Sequence, residues 1–361
     1  MHAILALALF AAIDVTSAQN AIKELDAMCA ADSGRLWGRE LCGPVLLVDR
    51  ETRQAVTKDG VVTLPESVGI ANTAVDWNGQ RYTMVMLPLP KDDYARHALL
   101  AHESFHRVQE QLGFKATGPS NAHLDSLDGR YWLRLEWRAL AKALQTGDAR
   151  AVSDALAFRA QRRALFSTAA EEERQLEMHE GLAEYTGTAF AARPLKERLP
   201  HLTEQLANAE KNAKFMRSFA YASGPAWGAL IEMKDPNWTR TLKPGDDLGD
   251  VARRAWKLDD TYGAAALRAE EEARDTKRRE RQAALRKEFV EGPVLTLPLA
   301  QMEMQFDPNG LEPLEGVGTV YSNITISDAW GKLEAPEGAL ITSDFKKLIV
   351  PLGRKYTLDK K

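Results

Sequence analysis

The chain changes its hydrophobic rhythm twice. Between Gly43 and Pro90 apolar residues come in short runs or alternate with polar ones, as in PVLLVD, GVVTLP, TAVDW and QRYTMVMLPLP. That is the signature of strands, and Asn78-Gly79 between the last two is the dipeptide best suited to a two-residue hairpin. The pattern predicts a small antiparallel sheet. From Lys91 to about Phe289 apolar positions recur every three or four residues with few prolines. This spacing predicts helices over Asp93 to Leu112, His123 to Gln145, Ala149 to Ala191 with an interruption, Thr203 to Lys214, Phe219 to Lys234 and Ala264 to Phe289. After Gly292 alternation returns in PVLTLPLAQMEMQF, GVGTVYSNITISDAW and ALITSDFKKLIVPL, which predicts a compact β unit. The expected class is α+β: a small N-terminal antiparallel sheet, a mainly helical body and a C-terminal β unit. The expected domains are 19–289, β-rich over 19–90 and helical over 91–289, followed by a small accessory domain over 290–361.

Before the first strand, MHAILALALFAAIDVTSAQNA carries an apolar run from Ala3 to Ile13, with Thr16 and Ala18 fitting the small-residue pattern before a signal-peptidase cut. The run is too short to span a bilayer. A signal peptide over 1–18 is expected, although the n-region holds no Lys or Arg; the other reading is a buried N-terminal helix. A cleaved product would have no stable membrane insertion and would be secreted or periplasmic.

With 361 residues, 45% of them apolar, the chain can bury a large core without needing a metal or a disulfide to fold. A formal net charge of -4 gives no footprint for nucleic acid. The segment EEEARDTKRRERQAALRKEF mixes both signs at helical spacing, as a solvated helix face does. Cys29 and Cys42 are the two cysteines. In an exported chain they would form one bridge, worth on the order of 3 kcal/mol by chain entropy; otherwise they are two buried thiols.

The chemistry concentrates in HALLAHESFHRVQEQLG, His97 to Gly113. The four-residue step from His102 to His106 puts both imidazoles on one helix face, one turn apart, so that their nitrogens can converge on one ion. Glu103 lies beside that face, within reach of a water on the metal. Two histidines leave a catalytic zinc one protein ligand short. A third histidine at the spacing HExxHxxGxxH would fall at position 112, which is Leu112. A glutamate on another helix is the remaining common solution. EMHEGLAEYTG, Glu177 to Gly187, has Glu180 and Glu184 one turn apart, with Gly181 leaving room for a close helix approach.

HESFH followed by HEGLAEYTG resembles the gluzincins, the thermolysin-like zinc metallopeptidases of the peptidase MA-like superfamily. The resemblance implies a zincin-like fold in which His102, His106 and Glu180 bind Zn2+ and Glu103 is the catalytic base. It also implies that Glu184 accepts the proton of an imidazole, that of His102. The chain has Glu184 where thermolysin has Asp, and the interval from His106 to Glu180 is long. FAYASGPAWGALIE, Phe219 to Glu232, resembles the Tyr-x-x-Gly helix that often follows the glutamate helix, which makes Tyr221 either a donor to the reaction's oxyanion or a packing residue. The strand Arg81 to Leu89 matches in position the edge strand that binds extended substrate in these enzymes. The resemblance covers roughly 80–232 and not the C-terminal β unit.

These residues imply an exported zinc metallopeptidase acting on a peptide or protein substrate. The rival is a catalytically silent zincin scaffold used for binding or assembly, and an intact Glu103 speaks against it, since a purely structural site needs no base. His97, His123, His179 and His201 are expected to be structural or solvent residues rather than further ligands, His179 because it points about 100° away from Glu180 around a regular helix and His97 because it is five residues from His102.

Overall fold

The computed structural model describes residues 13–115, 118–192, 194–258 and 268–360. Contacts divide the chain into two compact units, 1–268 and 269–361. The expectation drew that boundary at 289/290; by contacts the charged helix goes with the C-terminal strands.

The first unit opens with α1 (Val15–Asp32), whose N-cap Asp14 accepts from Ser17 N at 3.0 Å. Residues 1–12, which hold most of the expected signal peptide, lie outside the described residues, and Ala18 is buried within α1. Cys42, just before the first strand, is bridged to Cys29 on α1, with Cα atoms 5.6 Å apart.

Five strands follow: β1 (Val45–Val48), β2 (Gln54–Thr57), β3 (Gly60–Thr63), β4 (Thr73–Trp77) and β5 (Gln80–Met86). Their order is β3-β2-β1-β5-β4. The sheet is mixed, which corrects the antiparallel expectation: β1 and β5 run parallel, from Val45 opposite Thr83 to Val48 opposite Met86. β1 is buried on both faces because it is central. Val45 and Leu47 join the helical core, whereas Leu46 and Val48 face a second cluster with Ala55, Leu64 and Met84. Asn78 (φ 47°) and Gly79 (φ 75°) close the β4–β5 hairpin in the left-handed conformations that a type I′ turn requires. The strand expected at the sheet edge, β5, is instead interior, and β4 forms the edge.

β5 leads into α2 (Asp93–Gln109), started by Asp92, whose side chain accepts from Ala95 N at 2.8 Å. Then come α3 (Leu127–Thr146), α4 (Ala149–Ala164), α5 (Ala169–Leu176) and α6 (Leu182–Ala191). α5 and α6 are one continuous rod joined through a π-turn, Glu177–Gly181. The unit is completed by α7 (Leu195–Ala209), α8 (Ser218–Glu232) and α9 (Leu248–Trp256).

Glycines set the helix spacings around the site. A Cβ on Gly187 of α6 would stand 2.5 Å from Ala98 O of α2, and one on Gly224 of α8 would stand 2.3 Å from the Cα of Gly181. α2, α6 and α8 therefore meet at backbone distance, with the π-turn between them.

Behind the π-turn lies a buried ionic network. Arg162 binds Glu136 (2.6 Å) and Glu173 (2.7 Å), Arg159 binds Glu136 and Glu177, and Arg163 joins Glu173 (2.8 Å) to Asp247 (2.9 Å). Trp227 Nε1 donates to Glu136 at 2.9 Å. Such charges are tolerated in the interior because each meets opposite charge in good hydrogen-bonding geometry. The arginines hold Glu173 and Asp247 well below the usual carboxylate range against the opposing effect of burial.

The second unit begins with α10 (Arg268–Arg286) and continues in nine strands: β6 (Val294–Pro298), β7 (Glu303–Phe306), β8 (Leu311–Leu314), β9 (Gly318–Tyr321), β10 (Ile324–Asp328), β11 (Gly331–Ala335), β12 (Ala339–Thr342), β13 (Lys347–Pro351) and β14 (Thr357–Lys360). They form two antiparallel sheets, β14-β11-β10-β7 and β6-β13-β12-β9-β8. Ile324, Ile326 and Leu333 of one share a core with Ile341, Leu348 and Val350 of the other. Leu340, of opposite pleat to Ile341, packs instead with Leu285 and Phe289 from the helical segment. Among the described residues no helix is long and apolar enough to cross a membrane.

Candidate metal centre

α2 carries the first half of the site. His102 and His106, one turn apart, turn their Nε2 atoms towards each other at 3.1 Å. Glu180 arrives on the π-turn, its Oε2 3.5 Å from His102 Nε2 and 3.4 Å from His106 Nε2. The three residues form the candidate metal-binding cluster among the described residues.

The imidazole tautomers follow from what surrounds them. His102 Nδ1 faces Glu184 Oε2 at 2.9 Å, and an ionised carboxylate only accepts, so Nδ1 carries the proton. At His106 the inference takes two steps. Gln109 Nε2 donates to the carbonyls of Met178 (3.1 Å) and His179 (2.8 Å), which fixes the amide's orientation. Its Oε1 then accepts from His106 Nδ1 at 2.7 Å. Both Nε2 atoms are thus turned towards one another and towards a carboxylate, an arrangement that a bound cation, or a proton carried on one Nε2, holds together. Zinc fits it. A tetrahedral ion with bonds of about 2.0–2.1 Å requires ligand atoms roughly 3.3 Å apart, close to all three separations.

Glu103 is buried, and its Oε2 has no hydrogen-bond partner. Burial raises its carboxyl pKa, against the pull of His102 and His106, in the direction a general base at neutral pH needs. A buried carboxylate oxygen without a protein partner is costly, and a water or a substrate proton is the kind of partner that offsets the cost.

Tyr221 stacks on the His102 ring, with planes 5° apart and centroids at 5.6 Å, and its hydroxyl donates to Glu180 Oε2 at 2.6 Å. Burial and the Glu180 charge raise the Tyr221 pKa, so it stays a donor. Glu184 is steadied through its other oxygen by Gln205, which donates to Glu184 Oε1 (2.9 Å) and to Tyr221 O (3.0 Å). Burial disfavours charge on His102, but hydrogen bonds with Glu180 and Glu184 outweigh it and raise its pKa to about 10. In the metal-free protein a proton therefore stands in for the cation.

Besides Gln205, sequence reasoning missed three neighbours. His179, expected to point away, tilts its ring against His106 at 4.9 Å and brings Nδ1 to 3.3 Å from Glu180 Oε1; the π-turn breaks the 100° step on which that expectation rested. Arg217, largely exposed, reaches within 3.7 Å of Glu180 Oε1. Gln109 was not singled out at all, although its place one turn beyond His106 put it on the same face. The other histidines stand apart: His97 pairs with Glu24, His123 with Glu173, and His201 stacks on Tyr94.

Comparisons with family models, with curated proteins and with solved structures return no match to this chain. What the geometry shows is a candidate metal site of generic zincin kind: His102, Glu103 and His106 on one buried helix face, completed by a distal Glu180.

Proposed function

We propose that this chain is an exported zinc-dependent metallopeptidase of gluzincin type that hydrolyses peptide bonds. The observation that carries the reading is the conjunction of a three-ligand cluster with zinc-like spacing and, beside it, a buried Glu103 whose Oε2 has no partner. A site serving only structure would have no use for that carboxylate.

His102, His106 and Glu180 would hold the ion, which supplies Lewis acidity to the scissile carbonyl and acidity to water. Glu103 takes the proton of the attacking water and returns it to the leaving amine, and its elevated pKa suits both transfers. Glu184 and Gln109 keep the imidazole protons on Nδ1. Tyr221 lies close enough to donate to a developing oxyanion once it exchanges its bond to Glu180. Export is supported by the apolar N-terminal run and by the Cys29–Cys42 bridge, which suits an oxidising compartment. N-terminal sequencing of the exported product would read leader removal directly.

The test is mass spectrometry of a broad peptide mixture after incubation with zinc-loaded protein and with its Glu103→Gln variant. Glu103→Gln is expected to keep the metal and lose about two to four orders of magnitude in rate. Full turnover by a folded, zinc-loaded variant would remove Glu103 from the mechanism. Zinc uptake without cleavage by wild type would favour the silent binding scaffold.

A further inference from the structure

Gln109 is the last residue of α2, is buried, and makes three hydrogen bonds with one amide group. Its partners are unusual in combination: a side chain on its own helix that ligates the metal, and two main-chain carbonyls on the turn that presents the third ligand. A π-turn has a local deficit. In passing from i→i−5 back to i→i−4 pairing, the helix leaves one carbonyl without a backbone N–H, and Leu182 N here reaches back to Glu177 O. The Gln109 amide donates to the next two carbonyls, Met178 and His179, immediately before Glu180.

We infer that Gln109 is a positioning residue for the metal site: it makes His106 present Nε2 to the ion and pins the π-turn so that Glu180 reaches the same ion. The inference deepens the zinc-site reading and rests on it. The logic is directional. Because carbonyls cannot donate, both amide protons are spent on the π-turn, and the Oε1 that remains can only accept. His106 must then carry its proton on Nδ1, which frees Nε2 for the metal. Neither half works alone. Without the donors the amide could flip and offer His106 a proton, reversing the tautomer; without the acceptor the imidazole could rotate freely about its stem.

The sequence-level resemblance assigns Glu184 to support His102 and leaves His106 without support. Gln109 fills that role, with a neutral group where His102 has an anion. The two ligands are therefore made unequally basic, His102 by a carboxylate and His106 by an amide.

Two full-length variants separate the roles. Gln109→Met keeps length and bulk but has no donor or acceptor; Gln109→Glu restores an acceptor for His106 while losing both donors to the π-turn. The readouts are the His106 tautomer, from nitrogen-15 correlation spectra of the metal-free protein, and zinc affinity by chelator competition. Wild type is expected to carry the His106 proton on Nδ1. Gln109→Met should lose that single tautomer and bind zinc about 10 to 100-fold more weakly. Gln109→Glu should keep the tautomer yet still bind zinc more weakly, because Glu180 is no longer held. A wild-type His106 protonated on Nε2, or a Gln109→Met protein unchanged in tautomer, overturns the inference, even if zinc affinity falls through general loosening. If wild type takes up no zinc but its tautomer responds to Gln109→Met, the zinc reading fails while the orienting role of Gln109 stands.

Discussion

His102 shows how one side chain can serve two states of the site. Its pKa of about 10 belongs to a ring held between Glu180 and Glu184, against about 6.5 in an unfolded chain. A folded pKa raised above the unfolded one contributes stability that is complete below about pH 6.5 and is lost as pH climbs towards about 10. On the proposed reading zinc takes the place of that proton, so zinc-loaded protein should not show the same loss. Thermal unfolding at about pH 6 and about pH 9, with and without zinc, reads the difference. The metal-free midpoint should fall across that interval and the stabilisation by zinc should grow. Parallel pH profiles for the two forms would mean that His102 is not the proton holder. Residues of this kind were legible in the sequence, because a four-residue helical step is a local fact: His102, Glu103 and His106, and Glu180 with Glu184, could be placed on their faces from spacing alone. Gln205 and Arg217 could not, and Gln109, although spacing puts it on the His106 face, has carbonyl partners that exist only once distant helices meet.

At the scale of elements, Tyr-x-x-Gly in α8 is explained by its glycine. Gly224 lets α8 lie against Gly181, which brings Tyr221 onto Glu180 and His102. Gly224→Ala therefore sets two effects against each other. Alanine favours a helix by about 1 kcal/mol, but the added methyl meets backbone atoms that cannot swing aside, and such overpacking typically costs about 1–3 kcal/mol. The clash should win, lowering the thermal midpoint and weakening zinc binding; a midpoint at or above wild type would show that α8 can slide. The helices were legible where apolar spacing was sustained, and the β4–β5 hairpin was legible from Asn78-Gly79. β2 (Gln54–Thr57) and α9 (Leu248–Trp256) were not, being short and half polar. The parallel pairing of β1 with β5 was also hidden, since it joins strands separated by three others in sequence, and nothing in either strand's own pattern specifies that partner.

At the scale of the whole molecule, the chain is two units with separate cores. The second has what an independent domain needs: two antiparallel sheets around a shared core, and a helical segment whose Leu285 and Phe289 cover one of them. A fragment spanning 269–361 should fold alone and unfold in urea as one cooperative transition. A fragment lacking such a transition would mean that this core depends on the first unit. The β unit was legible in outline from its alternation, but its inclusion of α10 was not. EEEARDTKRRERQAALRKEF reads as a solvated face, yet Glu271, Asp275, Leu285 and Phe289 in it are buried.

The π-turn gives the length of the chain a meaning separate from its chemistry. Glu177 and Glu180 are three residues apart, which on a regular α-helix leaves them only about 60° apart, facing much the same way. The wider turn separates them, sending Glu177 to the buried arginines and Glu180 to the histidines. Removing a single residue there would alter no ligand, base or supporting glutamine, yet it would swing one set of acids out of phase with the other. The spacing of this stretch is thus as much a part of the site as the identity of its side chains, and it is lost by insertion or deletion rather than by substitution.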